Sequence, residues 1–139
     1  MNDDLERFVS AQDSSGSYDT AMEELRGGLK KSHWMWYVFP QVAGLGRSAM
    51  SQRYAIDGVA EAAAYLAHPV LGPRLLRSAR LLTELPTDDP AEVLGTVDAQ
   101  KLQSCMTLFE AAASDEPVFG RVLEKYFGGV RDQGTLRRL

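Results

Sequence analysis

The chain has 139 residues, of which 45% are hydrophobic and 24% are charged. This length and composition are typical of one globular domain, so we expect a folded domain over residues 1–139 rather than a disordered chain. Asp and Glu outnumber Lys and Arg by 19 to 15, a net charge of −4. A non-specific nucleic-acid-binding protein is usually basic, so we do not expect that class.

Cysteine content and hydropathy indicate the compartment. The only cysteine, Cys105, cannot form an internal disulfide, which fits a reducing environment. No apolar stretch approaches the roughly 20 residues that span a bilayer, and the polar residues 1–7 do not resemble a signal peptide. The sequence therefore predicts a cytoplasmic protein without a membrane segment.

Apolar residues first recur at helical spacing near the N-terminus. A short helix is expected from Leu5 to the loop at 13–16. A second helix is expected after it, with Ser17 as its cap and the glycine pair 27–28 at its end. Its predicted buried face runs through Tyr18, Met22, Leu25 and Leu29.

The segment 32–40 is the most aromatic part of the chain. Six consecutive apolar or aromatic residues lie there between polar flanks, and periodicity alone does not distinguish a helix from a buried strand. A cap at Ser32 and a stop at Pro40 favour a short buried helix.

The rest of the chain predicts further helices joined by brief loops. They are expected at 48–56, after Asp57 with Val59, Ala63 and Leu66 on one face, over 71–85, from Asp88 to Gly95, after Asp98, and after Pro117. No run of alternating polar and β-branched residues indicates a strand. We therefore predict an all-α, compact, multi-helical fold with central buried helices, whose core includes Leu75, Leu82, Met106 and Phe109.

Familiar catalytic and cofactor motifs are absent from the sequence. It contains no glycine-rich phosphate or dinucleotide loop, and no His-Glu-x-x-His or Cys-x-x-Cys pair. We therefore expect neither a metal site nor a cofactor. Cys105 lies among apolar helix neighbours, which favours a structural role over a nucleophilic one.

Three segments nevertheless carry unusual side chains. In the first, His33, Trp34 and Trp36 form either part of the core or an aromatic wall for a planar or sugar-like ligand. In the second, the glycine loop 44–46 leads into a predicted helix near two arginines.

The second segment has two interpretations. Helix-start amides beside Arg47 and Arg53 favour an anion site, with Gln41 and Gln52 as hydrogen-bond partners. The alternative is a capped helix with solvated arginines. In the third segment, 98–107, Lys101, Ser104 and Thr107 form one polar face, which is either a binding surface or simply the wet side of the helix.

These segments also carry a family resemblance that covers nearly the whole chain. The chain resembles the domain-of-unknown-function family 1810. The matching motifs are 32–41 (Ser-His-Trp-Met-Trp-Tyr-Val-Phe-Pro-Gln), 44–56 (Gly-Leu-Gly-Arg-Ser-Ala-Met-Ser-Gln-Arg-Tyr-Ala-Ile), 68–75 (His-Pro-Val-Leu-Gly-Pro-Arg-Leu), 101–109 (Lys-Leu-Gln-Ser-Cys-Met-Thr-Leu-Phe) and 126–129 (Tyr-Phe-Gly-Gly).

The resemblance implies a small, bacterial, multi-helical protein with two central buried helices, and it supplies no catalytic residues. Proteins of that family are sometimes labelled calpastatin. An inhibitor of that kind is a long disordered chain, whereas this composition describes a folded domain. Cys105 stands where such proteins often have serine, which argues against an essential thiol. A fainter similarity, in the order of its tryptophan-rich and arginine-bearing segments, is to glycosidases that remove ADP-ribose from modified bases.

Two functions follow as hypotheses. In the first, the domain binds a small anionic or nucleotide-like ligand through His33, Trp34, Trp36, Gln41, Arg47, Gln52, Arg53 and Lys101. If it is an enzyme, hydrolysis of an N-glycosidic bond, assisted by Asp57 or Asp98, is the first reaction to test. In the second, the chain is a non-enzymatic protein-interaction module. A concave polar pocket favours the first hypothesis, and a flat apolar face favours the second.

Overall fold

The computed structural model describes residues 5–139. Helices account for 68% of these residues, and pairing between extended segments is limited, in the same part of the chain, to one isolated bridge between Val42 and Ile56. The predicted all-α fold is confirmed. The helices are α1 (Glu6–Asp13), α2 (Ser17–Gly27), α3 (Met35–Val38), α4 (Ala49–Arg53), α5 (Val59–Ala67), α6 (Leu71–Glu84), α7 (Pro90–Leu94), α8 (Thr96–Ala112), α9 (Pro117–Phe127) and α10 (Gln133–Leu136), with a 3-10 turn (Ser14–Gly16) between α1 and α2.

Helices α6 and α8 form the centre of the molecule. α8 packs against α5, α7, α9 and α10, while α6 packs against α2, α5 and α9. The four predicted core residues, Leu75 and Leu82 on α6 and Met106 and Phe109 on α8, are all buried. The two central buried helices that the family resemblance implied are therefore present.

The close approach of α5 and α6 depends on a glycine. At the corner between them, the Nδ1 atom of His68 accepts hydrogen bonds from the backbone amides of Val70 and Leu71, at 3.1 and 3.3 Å. A Cβ atom on Gly72 would lie 2.1 Å from the carbonyl oxygen of Leu66. Any side chain at Gly72 would therefore force the two helices apart.

Three predicted helix starts are wrong. α3 begins at Met35 with Trp34 at its N-cap, not at Ser32, because Ser32 is hydrogen-bonded to Glu24 instead. The N-cap of α5 is Gly58 rather than Asp57. The N-cap of α8 is Gly95, so Asp98 lies inside its first turn.

Two predicted faces also differ from the structure. On α5 the buried residues are Ala62 and Tyr65, whereas Val59 is exposed, because α6 and α8 approach the other side of the helix. Leu29 follows the end of α2 and is exposed, so it does not continue the buried face of that helix.

No helix among the described residues is both long and apolar enough to cross a membrane.

Candidate functional site

A cleft of about 470 Å³ lies between the loop that follows α3, the N-terminal half of α8 and the start of α10. Its volume falls within the range of about 300–1,000 Å³ that is usual for small-molecule sites. The lining is a mixture of polar and apolar side chains: Gln41, Leu45, Gly46, Ser51, Val97, Gln100, Lys101, Gln103, Ser104, Asp132 and Gly134.

The loop wall of the cleft is held in place by backbone contacts. The amide of Ala43 donates to the carbonyl of Ile56, and the amide of Ile56 donates to the carbonyl of Gln41, both at 2.8 Å. Farther along, a Cβ atom on Gly46 would lie 2.5 Å from the Ser51 side chain, so the loop packs directly on α4. These contacts fix the backbone of Gln41 at the edge of the cleft.

The C-terminal segment joins this loop to α10. The Arg138 guanidinium donates to the carbonyl oxygen of Gly44 at 3.2 Å and to that of Gly134 at 2.9 Å. Since Gly134 lines the cleft and Gly44 precedes Leu45, Arg138 connects two of its walls from outside.

The charged end of the cleft is built on the first turn of α8. The Lys101 ammonium lies 3.3 Å from one oxygen of Asp98, and the Lys30 ammonium lies 2.9 Å from the other oxygen. Two ammonium groups thus share one carboxylate, which leaves one positive charge among these three side chains.

Each of these lysines also lies over a tryptophan ring. The Lys101 Nζ atom is 4.5 Å from the ring centre of Trp36, and the Lys30 Nζ atom is 5.3 Å from the ring centre of Trp34. Both distances are within the range of cation–π attraction. The aromatic segment therefore supports the lysines that border Asp98.

The two tryptophans differ in how their indole N–H groups are satisfied. Trp34 is buried, and its Nε1 atom donates to Glu24 Oε1 at 2.8 Å. The Nε1 atom of Trp36 is buried but has no hydrogen-bond partner among the residues that the structure describes. A buried donor without an acceptor is uncommon in proteins.

Glu24 anchors the segment that leads into α3. Besides Trp34, its carboxylate accepts hydrogen bonds from the backbone amides of Lys31 and Ser32 and from the Ser32 hydroxyl. Desolvation raises the pKa of the Glu24 carboxyl, but these hydrogen bonds, led by that of Ser32, outweigh it and lower the pKa to about 2.

The structure brings some of the predicted site residues together and separates others. Gln41 and Lys101 line the cleft, and Trp36 lies under Lys101. Trp34 is a core residue. The others do not line the cleft, and their side chains are exposed: His33, Arg47, Gln52 and Arg53.

The second segment, around α4, uses its own groups to complete the helix start. The Ser48 hydroxyl caps α4 by accepting a hydrogen bond from the amide of Ser51 at 3.1 Å. The Gln52 side chain donates to the carbonyl of Arg47 at 3.0 Å, and the Arg53 guanidinium lies over the Tyr54 ring at 5.5 Å.

The cleft also contains residues that the sequence did not single out. Gln100 and Gln103 lie on the same side of α8 as Lys101 and Ser104, at a spacing typical of one helix face. That spacing was a usable signal. No sequence signal marked Asp132, because it reaches the cleft only through the packing of α10 on α8.

Three further residues considered in the sequence analysis, Ser104, Thr107 and Cys105, are buried. Ser104 and Thr107, predicted on a polar face that is either a binding surface or the wet side of α8, are buried, and each hydroxyl donates to a backbone carbonyl of the preceding turn. Cys105 is fully buried and is therefore a core side chain, and this burial raises the pKa of its thiol well above the ordinary value. Within residues 5–139, no three His, Cys, Asp or Glu residues are grouped as metal ligands.

Two smaller depressions lie elsewhere. One, of about 450 Å³, is lined by Glu23, Glu24 and Lys31 among others. Another, of about 340 Å³, is lined by Tyr18, Arg74 and Arg77. The Arg74 guanidinium is 2.9 Å from Asp13, so part of the positive charge in this second depression is already neutralised.

The chain belongs to the family described as "Protein of unknown function (DUF1810)", which matches residues 2–139. It is similar to the conserved hypothetical protein Rv1873 from Mycobacterium tuberculosis, whose crystal structure was determined at 1.38 Å. The two chains are 45% identical, the TM-score is 0.94, and the match covers 98% of this chain and 96% of the other. Comparison with curated proteins finds no match.

Proposed function

We propose that the cleft binds a small polar ligand that carries an anionic group. The observation that carries this proposal is the position of Lys101, which lines the cleft while sharing Asp98 with a second lysine. Because two cations border one carboxylate, the charged end of the cleft can accept an anion without leaving Asp98 unpaired. The Trp36 ring beneath Lys101 limits the directions in which the ammonium can move.

Unused hydrogen-bonding groups support the same proposal. The side-chain amides of Gln41 and Gln100 line the cleft and make no hydrogen bond to other described residues. Each amide offers both donors and an acceptor. Leu45 and Val97 add apolar contact area in the same cleft. A few convergent polar groups beside apolar walls are typical of sites for small molecules.

The two aspartates predicted to assist hydrolysis of an N-glycosidic bond are not placed to do so. Asp57 is exposed and does not line the cleft, and both oxygens of Asp98 already face an ammonium group. Neither aspartate is therefore placed to transfer a proton to a ligand in the cleft.

The alternative, a protein-interaction module, has weaker support. The exposed large apolar side chains come from separate helix ends, loops and the C-terminus. Scattered apolar residues are normal on protein surfaces, whereas interaction sites are contiguous patches. These side chains are Leu29, Val59, Val97, Val130, Leu136 and Leu139.

A thermal-shift screen against carboxylates, sugar phosphates and nucleoside phosphates tests the proposal. A ligand at 100 times its dissociation constant stabilises a protein by about 2.7 kcal/mol. We expect at least one anion to stabilise the wild type, and Lys101→Gln to abolish most of that stabilisation.

Matched variants separate this cleft from other basic surfaces. Lys125→Gln removes a lysine that also lies over an aromatic ring, Tyr126, at 5.4 Å, and it should keep the full thermal shift. Arg77→Gln should keep it too. If Lys101→Gln keeps the shift while Arg47→Ala or Arg53→Ala loses it, the anion binds at α4 and the proposal for the cleft is wrong.

A further inference from the structure

The cleft has a second charged end, at Asp132. The backbone amide of Asp132 donates to the hydroxyl of Thr107 at 2.9 Å, which places Asp132 beside a point on α8 six residues beyond Lys101. At 1.5 Å per residue, this is about 9 Å along the helix axis. The Lys101 side chain does not shorten the separation, since it reaches back toward Asp98, in the direction away from Asp132.

One carboxylate oxygen of Asp132 accepts hydrogen bonds within the protein, and the other accepts none from the described residues. The Oδ2 atom caps α10 by accepting from the amide and the hydroxyl of Thr135, at 2.9 and 2.7 Å. The Oδ1 atom has no hydrogen bond to any residue in the described part of the chain. Because Asp132 lines the cleft, its carboxylate can still accept a hydrogen bond there from a hydroxyl or amino group.

We propose that the ligand has two poles, an anionic group at Lys101 and a hydroxyl or amino donor at Asp132, whose positions along α8 are about 9 Å apart. This inference rests on the proposed function of the cleft. The α-amino and α-carboxylate groups of a free amino acid are too close together to be the two poles, because only about 3 Å separates them. Inorganic phosphate satisfies one pole only. A nucleoside monophosphate spans the distance through its base, whose amino group lies many bonds from the phosphate.

The glutamines on the same face of α8 fit such a molecule. Gln100 has a free side-chain amide, and Gln103 uses its amide nitrogen on the carbonyl of Val130 at 2.9 Å, which leaves its oxygen as an acceptor. Both groups recognise hydroxyl or amino groups of a sugar or base. A nucleoside monophosphate bound with its phosphate at Lys101 satisfies both poles and these glutamine groups.

Calorimetric titration with adenosine 5′-monophosphate, adenosine and inorganic phosphate tests the two-pole ligand. We expect the monophosphate to bind at least ten times more tightly than either fragment. Asp132→Asn should weaken the monophosphate at least tenfold and leave inorganic phosphate unchanged. The Asn side chain can still cap α10, because Asn is as good an N-cap as Asp.

The controls distinguish loss of a pole from loss of fold. Asp89→Asn makes the same change at the N-cap of α7, where Asp89 accepts from the amide of Ala91, and it should bind all three probes as the wild type does. Asp132→Ser keeps a capping side chain and should match Asp132→Asn.

Two outcomes would overturn the inference in different ways. If the monophosphate and inorganic phosphate bind equally and Asp132→Asn has no effect, the ligand has a single pole; the proposed function then stands without this inference. If no probe binds and the wider anion screen is also negative, the proposed function fails and the two-pole ligand fails with it.

Discussion

Trp34 and Trp36 are two residues apart, and each has a lysine over its ring, yet their surroundings differ. Trp34 is 1% exposed, and its N–H group is bonded to a carboxylate that three other donors also reach. Trp36 is only partly buried, and its N–H group has no partner among the described residues. The lysine over Trp34 is engaged by Asp98 at 2.9 Å, whereas Lys101 is held less closely, at 3.3 Å, and lines the cleft.

This difference separates a structural region from a candidate binding region. Around Trp34 the protein supplies every partner that the polar groups need, so the segment stabilises the fold. Around Trp36 and Lys101 the protein leaves the Trp36 N–H group without a partner among the described residues and places Lys101 in the lining of the cleft, where a ligand can reach it. Four measurements test whether the surroundings of Trp34 and Trp36 differ in this way.

The largest effect is expected at the tryptophans themselves. Trp34→Ala should lower the free energy of unfolding by about 3–5 kcal/mol, because it removes a fully buried aromatic side chain. Trp36→Ala should cost less than about half of that, since its ring is already partly exposed. Urea denaturation measures both, with Leu82→Ala as a reference for a buried site, at about 2–5 kcal/mol. Equal losses at the two tryptophans would contradict the contrast.

Replacing Glu24, whose carboxylate is hydrogen-bonded to Trp34, should have the next largest effect on the free energy of unfolding. Glu24→Gln keeps the shape but loses the charge and the acceptor for the Ser32 hydroxyl. We expect a loss of about 1–2 kcal/mol, a value reduced for the partial exposure of Glu24 to solvent. Glu23→Gln, at the exposed neighbouring position, is the control and should stay within about 0.5 kcal/mol of the wild type.

The same carboxylate predicts a pH dependence. The pKa of Glu24 falls from an ordinary value of 4.5 to about 2 in the folded protein. Its stabilisation is therefore fully present above pH 4.5 and is lost as the pH falls toward 2. The free energy of unfolding, measured by urea denaturation from pH 6 downward, should fall less steeply over this window in Glu24→Gln. Identical slopes would show that Glu24 is not linked to folding.

The smallest effect on stability is expected in the cleft. Lys101→Gln should change the free energy of unfolding by less than about 0.5 kcal/mol, because its pairing with Asp98 is partly exposed. Lys30→Gln should cost more, up to about 1 kcal/mol, since that pair is shorter and less exposed. A large loss in Lys101→Gln would make Lys101 a structural residue like Lys30.

Much of the fold was predictable from local pattern. In α6 and α9 the apolar residues recur at three and four positions, and the structure buries those faces. Helix ends with a clear chemical signal were also predictable, such as Ser48 and the glycine pair after α9. The starts of α3 and α8 were not, because Ser32 binds Glu24 rather than a helix amide, and α8 follows Gly95 directly.

The candidate site was less predictable than the fold. Lys101 and Gln41 were singled out by their neighbours in sequence, and both line the cleft. Asp132 follows Lys101 by 31 positions and approaches α8 through the Thr107 hydroxyl. A contact between residues so far apart in sequence has no periodic signature.

The helical class, the buried face of α6 and the family follow from the amino-acid sequence, because helical periodicity and long motifs are local properties of the chain. Which tryptophan is core and which lies beside the cleft depends on how the helices pack, and local pattern does not specify that packing. Trp34 and Trp36 have nearly the same sequence neighbours. Their roles diverge because α2 supplies Glu24 to one ring and α8 supplies only Lys101, a second donor, to the other.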